Sequence, residues 1–129
     1  MIVVDSSYYI GLSDKKDQWH EDAKRLMPFV NDNDVIVSNL IMTEVLTAVG
    51  KRSGGKEAHK RYLYFLDNSK IIYVDERIFD NAEKIFLQFD GTLSIADATS
   101  VLIMRMMSIS QIVSFDSDFD KVDGIHRVY

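Results

Sequence analysis

The acidic side chains of this 129-residue chain are its first candidates for chemistry. Within the segment SFDSDFD, residues 114–120, an aspartate stands at every second position from Asp116 onward. A calcium loop of the EF-hand type needs glycine at its sixth position and glutamate at its twelfth. Counted from Asp116, those positions hold Lys121 and Arg127. An EF-hand is therefore excluded, and the aspartates need another explanation.

Composition narrows the classes of function. The chain has 20 acidic and 15 basic residues and a net charge of −5, whereas proteins held to nucleic acid by phosphate contacts are usually basic. It has no cysteine, so thiolate metal sites and disulfides are impossible. Its three histidines form no close sequence pair that would suggest histidine acid–base chemistry. No run approaches the ~20 apolar residues that span a bilayer, and we expect a cytoplasmic protein without a membrane partner.

Short apolar runs rich in β-branched residues alternate with helical patterns. Such runs are typical of strands buried on both faces of a parallel sheet. They lie at residues 2–4, 35–37, 71–74 and 112–113, and an alternating tail at 125–129 predicts an edge strand. Apolar spacing predicts helices between them, including a buried central helix at 95–107, a helix capped by Asp75, and one that Pro28 should kink or end. We predict one domain, residues 1–129, with a three-layer α/β/α sandwich around a parallel sheet of about five strands.

Four acids fall where such a sheet binds its ligands. Asp5 ends the first strand, and Asp116 follows the fourth. Glu44 is predicted in the second turn of a helix after the second strand, bordering its apolar stripe, and Asp97 in the first turn of the central helix. Ligands of open parallel sheets bind outside the carboxyl ends of the strands. The four carboxylates are therefore candidates to converge there.

Each acid also has a purely structural explanation. Asp5 could cap the first helix, and Asp97 with Ser94 fits a capping box. Glu44 alone is typical of a solvated helix face, and Asp116 of a turn. From spacing alone, the structural and functional interpretations are about equally supported.

Four ordered motifs resemble a known family. They are IVVDSSYYI with Asp5, SNLIMTEVL with Glu44, LSIADATSVLIM with Asp97 and IVSFDSDFDKVDGI with Asp116. The chain resembles a PIN domain, in the small form typical of VapC-type toxins of toxin–antitoxin pairs. The resemblance implies a metal-dependent ribonuclease, a homodimer and a cognate antitoxin that blocks the active groove.

The resemblance also implies roles for individual residues. Asp5, Glu44, Asp97 and Asp116 match the acidic quartet of the family, and Ser6 and Ser114 match its hydroxyl positions. Asp118 matches a position that is often acidic, and its role stays open. Because clustered carboxylates repel one another and offer only oxygen ligands, the expected cofactor is Mg²⁺ or Mn²⁺. One ion or two are both compatible with the sequence.

The hypothesis for catalysis assigns metal binding to Asp5, Asp97 and Asp116. Glu44 would join them or orient the attacking water, and Ser6 and Ser114 would hold the carboxylates by hydrogen bonds. The basic cluster at 51–61, with Arg52 and Lys56, is a candidate to hold RNA phosphates, or else a solvated surface. Two alternatives remain at this stage, a PIN-domain RNA-processing nuclease that is not a toxin and a non-catalytic binding module.

Overall fold

A parallel five-stranded sheet forms the centre of the computed structural model, which describes all 129 residues. The strands lie in the order β3-β2-β1-β4-β5, and every neighbouring pair is parallel. Their bounds are Ile2–Val4 (β1), Val35–Ser38 (β2), Ser69–Ile72 (β3), Gln111–Val113 (β4) and His126–Val128 (β5). The predicted fold class is confirmed, and the alternating tail is an edge strand as predicted.

Six helices cover the two faces of the sheet. They are Ser6–Ser13 (α1), His20–Asn31 (α2), Asn39–Ser53 (α3), Gly55–Asn68 (α4), Glu76–Gln88 (α5) and Ile95–Met107 (α6), and a short 3₁₀ helix spans Ser117–Lys121. Strand β1 shows how the layers form, because Ile2 and Val4 pack in a core with helices α1 to α4. Val3 points the other way, into a second core with α5 and α6. A strand whose side chains alternate between two apolar cores must be hydrophobic throughout.

Helix boundaries follow local capping chemistry. The Asp75 carboxylate accepts the N–H of Ile78 at 2.9 Å and starts α5, as predicted. The Ser38 hydroxyl accepts the N–H of Ile41 at 3.2 Å and starts α3 directly at the end of β2. The predicted central helix has the expected bounds, 95–107, and is largely buried. Helices α3 and α6 therefore both begin at the carboxyl edge of the sheet.

The predicted bounds of the third strand were wrong. Strand β3 begins at Ser69 and ends at Ile72, two residues before the predicted run, and it is an edge strand that pairs only with β2. Beyond it Tyr73 is exposed, and the N–H of Val74 donates to the Asn39 side chain at 3.0 Å instead of to a strand. An edge strand has only one partner, so its apolar residues need not be buried on both faces.

Pro28 does not end α2, which continues to Asn31. Proline removes one backbone donor, and this loss is tolerated near the end of a helix more easily than in its middle. The Pro28 carbonyl still accepts the N–H of Asp32 at 3.0 Å. As for membrane insertion, none of the helices combines the length and the apolar character that crossing a bilayer requires.

Candidate active site

The sheet brings the two ends of the chain together where β1 and β4 lie side by side. Strand β1 lies in the middle of the sheet, with β2 and β3 on one side of it and β4 and β5 on the other. The Asp5 N–H extends the pairing by donating to the Val113 carbonyl at 2.9 Å. Asp5 and Asp116 therefore emerge from neighbouring strands at the carboxyl edge, where ligands of open parallel sheets bind.

Only one of the two carboxylate oxygens of Asp5 accepts hydrogen bonds. It is 3% exposed, and its Oδ2 accepts hydrogen bonds from the hydroxyls of Ser114 at 2.7 Å and Ser7 at 3.0 Å. Its Oδ1 is buried and has no hydrogen-bond partner. Although Asp5 occupies the N-cap position of α1, its side chain makes no capping hydrogen bond. The structural explanation of Asp5 as a helix cap is therefore wrong, and Oδ1 remains as a buried oxygen in need of a partner.

Two hydroxyls connect Asp5 to the backbone beside Asp116. The Ser114 hydroxyl accepts the N–H of Asp116 at 3.0 Å, and the Ser7 hydroxyl accepts the N–H of Phe115 at 3.0 Å. Each serine thus donates to Asp5 while accepting from the strand end, so both hydroxyl protons are oriented. Ser114 was predicted from the sequence to hold a site carboxylate, whereas Ser7 was not predicted.

Ser6 contacts Glu44 through its side chain. Its hydroxyl lowers the pKa of Glu44, and only its backbone N–H lowers the pKa of Asp5. The first motif contains two adjacent serines, Ser6 and Ser7, and either could have been predicted to bind Asp5. Choosing between them requires knowing that α1 begins at Ser6, which turns the next hydroxyl back toward Asp5.

The acids of the last motif divide into three roles. Asp116 is half-buried, and its Oδ1 accepts the N–H of Asp118 at 2.9 Å. The Asp118 carboxylate itself lies 2.9 Å from Lys121, so Asp118 contacts Asp116 through its backbone. Asp120 is engaged further away, by Arg127 at 2.9 Å. Of the three, Asp116 is the one whose charge raises the pKa values of Asp5 and Asp97.

Asp97 is a buried carboxyl with a strongly raised pKa. It is 8% exposed, and burial, together with the smaller effects of the Asp5 and Asp116 charges, raises its pKa to about 7. Contacts with Ser94, whose hydroxyl accepts the Asp97 N–H at 3.0 Å, offset only part of that rise. Ser94 therefore caps α6 as the box predicts, and its contacts with the Asp97 carboxyl oppose the charges of Asp5 and Asp116.

Asp5 and Glu44 are shifted in the same direction. Burial raises the pKa of Asp5 against the lowering effect of the two serine hydroxyls, and the Asp116 charge adds to the rise. Partial desolvation and the charge of Asp5 raise the pKa of Glu44. Glu44 is nevertheless exposed, so the expectation that it borders the apolar stripe away from water was wrong. Perturbed carboxyls that act on one another are typical of functional sites.

The four carboxyls have the ligand chemistry that a hard divalent cation prefers, but their present positions do not form a complete metal site. All donors are oxygens, and the buried Oδ1 of Asp5 is free to become a ligand. No three Asp, Glu or His side chains lie close enough together to hold one ion as they stand. Binding of a metal ion would therefore require some of these side chains to move closer together.

The basic candidates lie apart from this group. Arg52 donates to the Ser13 carbonyl at 2.9 Å and lies 3.8 Å from Asp14, so it holds the end of α1. Lys56 is exposed in the first turn of α4. A cavity of about 530 Å³ lies among α1, α2, α3 and α4 and contains none of the four acids.

The family model of the PIN domain matches residues 2–125. The chain belongs to the PIN-domain family. It is 30% identical over 121 residues, 92% of either chain, to the 23S rRNA-specific endonuclease VapC20 of Mycobacterium tuberculosis strains CDC 1551 and H37Rv. The crystal structure of M. tuberculosis VapC20, described as a sarcin-ricin loop cleaving toxin, has a TM-score of 0.83 at 27% identity and covers 94% of each chain.

Two more distant structures share the fold of this PIN domain. A toxin–antitoxin complex from Klebsiella pneumoniae has a TM-score of 0.70 at 17% identity, with 98% of this chain and 96% of that chain covered. VapBC2 from Rickettsia felis, bound to a promoter DNA fragment, has a TM-score of 0.68 at 12% identity and covers 99% and 98%. The resemblance to the PIN family is confirmed, and the relatives support the prediction of a toxin-type nuclease.

Proposed function

We propose that this PIN domain is a metal-dependent endoribonuclease and the toxin of a type II toxin–antitoxin pair. The observation that carries the proposal is Asp5, which is buried, has one oxygen without a partner and acts electrostatically on three other carboxyls. A fold has no structural need for such a group, because unpaired acids in the interior destabilise it. Similarity to an rRNA endonuclease over nearly the whole chain supports the same conclusion.

Asp5, Asp97 and Asp116 are the residues proposed to hold Mg²⁺ or Mn²⁺. When bound, the ion would lower the pKa of a coordinated water and neutralise charge on the scissile phosphodiester. Ser114 and Ser7 hold Asp5 in orientation, and the Asp118 N–H does the same for Asp116. Hydrolysis by water predicts products with a 5′-phosphate and a 3′-hydroxyl.

Glu44 is proposed to handle the water proton. It is the most exposed of the four acids, it lies near Asp5, and its pKa is raised above the usual range. A general base is most effective when its pKa approaches the working pH, and it must reach the water to act. Because Glu44 is exposed, it can reach such a water more easily than the buried Asp5.

The proposed substrate is structured RNA, with ribosomal RNA as the first to be tested because of the named relative. The net charge of −5 means that phosphates must be held locally and not by an overall basic surface. Arg52 and Lys56 stay candidates for that contact. Arg52 is also engaged by Ser13, so the RNA would have to share this arginine with α1.

A cognate antitoxin and a second copy of the chain are the proposed protein partners. Toxin–antitoxin complexes among the similar folds support the former. Exposed apolar side chains on α4, including Leu63 at 46% and Leu66 at 44%, are available for contacts with either partner. Coexpression with the neighbouring reading frame and size-exclusion chromatography with light scattering test both partners.

Cleavage of ribosomal RNA by purified wild type, Asp5→Asn and Asp75→Asn tests the nuclease proposal. Asp75 is the matched control, since it is an aspartate after a strand that only caps a helix. Wild type and Asp75→Asn should cleave in Mn²⁺ and stop in EDTA, while Asp5→Asn should not cleave. Equal activity of Asp5→Asn, or products with a 2′,3′-cyclic phosphate, would contradict the mechanism. Binding of RNA without cleavage would favour the binding-module alternative, and cleavage without growth arrest in cells would favour an RNA-processing nuclease.

A further inference from the structure

The turn that carries Asp116 is held at both ends by a single arginine of the neighbouring strand. Arg127, on β5, donates from Nε to Asp120 Oδ1 at 2.9 Å and from Nη2 to Asp120 Oδ2 at 3.0 Å. Its Nη1 donates to the Ser114 carbonyl at 3.3 Å. The guanidinium therefore bridges the first and last residues of the 114–120 segment, with Asp116 between them.

This bridge is unlike the other ion pairs of the protein. The Arg127 side chain is only 9% exposed, and its Cζ lies 3.7 Å above the Tyr129 ring. The pairs Lys24–Glu21, Arg25–Asp22 and Lys60–Glu57 join exposed side chains one turn apart on a helix, and such pairs contribute little. A bidentate arginine–carboxylate pair with a stacked, largely buried guanidinium fixes geometry much more firmly.

Arg127 also acts on the acidic group. Its pKa is raised by the hydrogen bonds and charge of Asp120, with smaller contributions from Tyr129 and Asp116. The guanidinium thus lies near enough to Asp116 for their charges to interact. Ser114, which Arg127 contacts through its carbonyl, donates its hydroxyl proton to Asp5. One side chain is therefore connected to two of the four proposed site acids.

We propose that Arg127 is a positioning residue, which fixes the distance and orientation between Asp116 and Asp5 through its contacts with Asp120 and Ser114. The proposal rests on the metal-dependent activity proposed above. Asp116 reaches the site from a 3₁₀ turn whose local contacts include the Asp118 N–H and the Ser114 hydroxyl. A turn of this kind needs an external attachment to keep a ligand within the tolerance of a metal site.

The decisive variant is Arg127→Lys. Lysine keeps the positive charge but cannot form the bidentate pair with Asp120 and contact Ser114 at the same time. Asp120→Asn is the companion variant, which leaves Arg127 in place and removes the charged partner. Arg25→Lys is the matched control, because it makes the same exchange in an exposed Arg–Asp pair on α2. Mn²⁺ affinity is measured for all four proteins through the fluorescence of Trp19, the only tryptophan, whose ring stacks on Phe115 at 5.2 Å.

Arg127→Lys and Asp120→Asn should weaken Mn²⁺ binding by about 10- to 100-fold, the usual effect of removing a group that orients a metal ligand. The value of kcat for RNA cleavage should fall, with KM for RNA little changed. Arg25→Lys should match wild type in both measurements. If Arg127→Lys is unstable, Asp120→Glu replaces it, because this variant keeps the negative charge but changes the length of the side chain that pairs with Arg127; wild-type affinity in Asp120→Glu would then contradict the positioning role.

Three results would contradict the positioning role of Arg127, and each has a different meaning. A lower melting temperature in EDTA, with wild-type Mn²⁺ affinity and kcat in Arg127→Lys, means that Arg127 only stabilises the fold. Loss of affinity in Asp120→Asn but not in Arg127→Lys means that charge matters and positioning does not. No Mn²⁺ binding by the wild type would instead refute the proposed function itself, and the positioning role with it.

Discussion

Replacing Asp97 by asparagine should stabilise the metal-free protein, and the gain should depend on pH. Burial and the charges of Asp5 and Asp116 raise the pKa of Asp97 from 3.8 to about 7. An acid that holds its proton more tightly in the folded state favours folding while it is protonated and opposes it once it is ionised. Asparagine has nearly the same shape and never acquires the charge.

The size of the effect follows from the pKa. A rise from 3.8 to about 7 corresponds to about 4 kcal/mol, because each pKa unit is worth about 1.4 kcal/mol. This is an upper value, since water entry and side-chain movement relieve part of the repulsion. We expect Asp97→Asn to be on the order of 1–4 kcal/mol more stable than wild type at pH 8.

Because the pKa of Asp97 is raised on folding, the stability difference should develop in a defined pH range. Below about pH 4 the carboxyl is protonated in both folded and unfolded chains, and the variant should have no advantage. Between about pH 4 and pH 7 the unfolded chain has lost this proton while the folded protein keeps it, so wild-type stability falls steadily relative to the variant. Above about pH 7 the difference should be constant.

Urea denaturation in EDTA, followed by Trp19 fluorescence from pH 4 to pH 8, measures the difference directly. Asp75→Asn is the control, because an exposed capping aspartate should show no such pH-dependent gain. A variant that is less stable than wild type at pH 8, or a gain that does not change with pH, would refute the account of mutually repelling site acids. The same gain in Asp75→Asn would show that it comes from net charge alone.

Three further predictions concern the cation, the serines and the basic surface. Mn²⁺ at a hundredfold excess over Kd should stabilise wild type by about 2.7 kcal/mol, and a melting temperature indifferent to Mn²⁺ would count against any metal site. Ser114→Ala removes a hydrogen-bond donor to the buried Asp5 and should lower the free energy of unfolding by about 1–3 kcal/mol at pH 8. It should also lower the activity, whereas Ser53→Ala on the surface should change neither quantity. The charge reversal Arg52→Glu with Lys56→Glu should weaken RNA binding and flatten its salt dependence, and unchanged binding in filter assays would remove these residues from the RNA site.

The sequence sufficed for the parts of the molecule that local chemistry determines. Continuous β-branched runs located the inner strands, because a strand with apolar cores on both sides can be little else. Asp75 was recognised as a cap, and the acid positions followed from the rule that ligands bind at strand ends. Edge strand β3 was misplaced by two residues, since its boundary depends on Asn39 taking the N–H of Val74.

What the sequence could not supply are contacts between distant segments. Nothing in the first motif distinguishes Ser7 from Ser6 until α1 begins and directs the hydroxyl to Asp5. The pairing of Asp120 with Arg127 was likewise not predicted, because the turn and β5 meet only in the folded chain. Glu44 follows the apolar spacing of its helix and is nevertheless exposed, because the edge of the sheet leaves that rim open.

The hydrogen bond between Ser114 and Asp5 joins residues 109 positions apart. During translation Asp5 is therefore made well before Ser114 and Asp116. A nascent chain that has not yet reached β4 has neither the Ser114 hydroxyl to hold Asp5 nor the Asp116 carboxylate. The acidic site can therefore assemble only after β4 and the turn that follows it have been made.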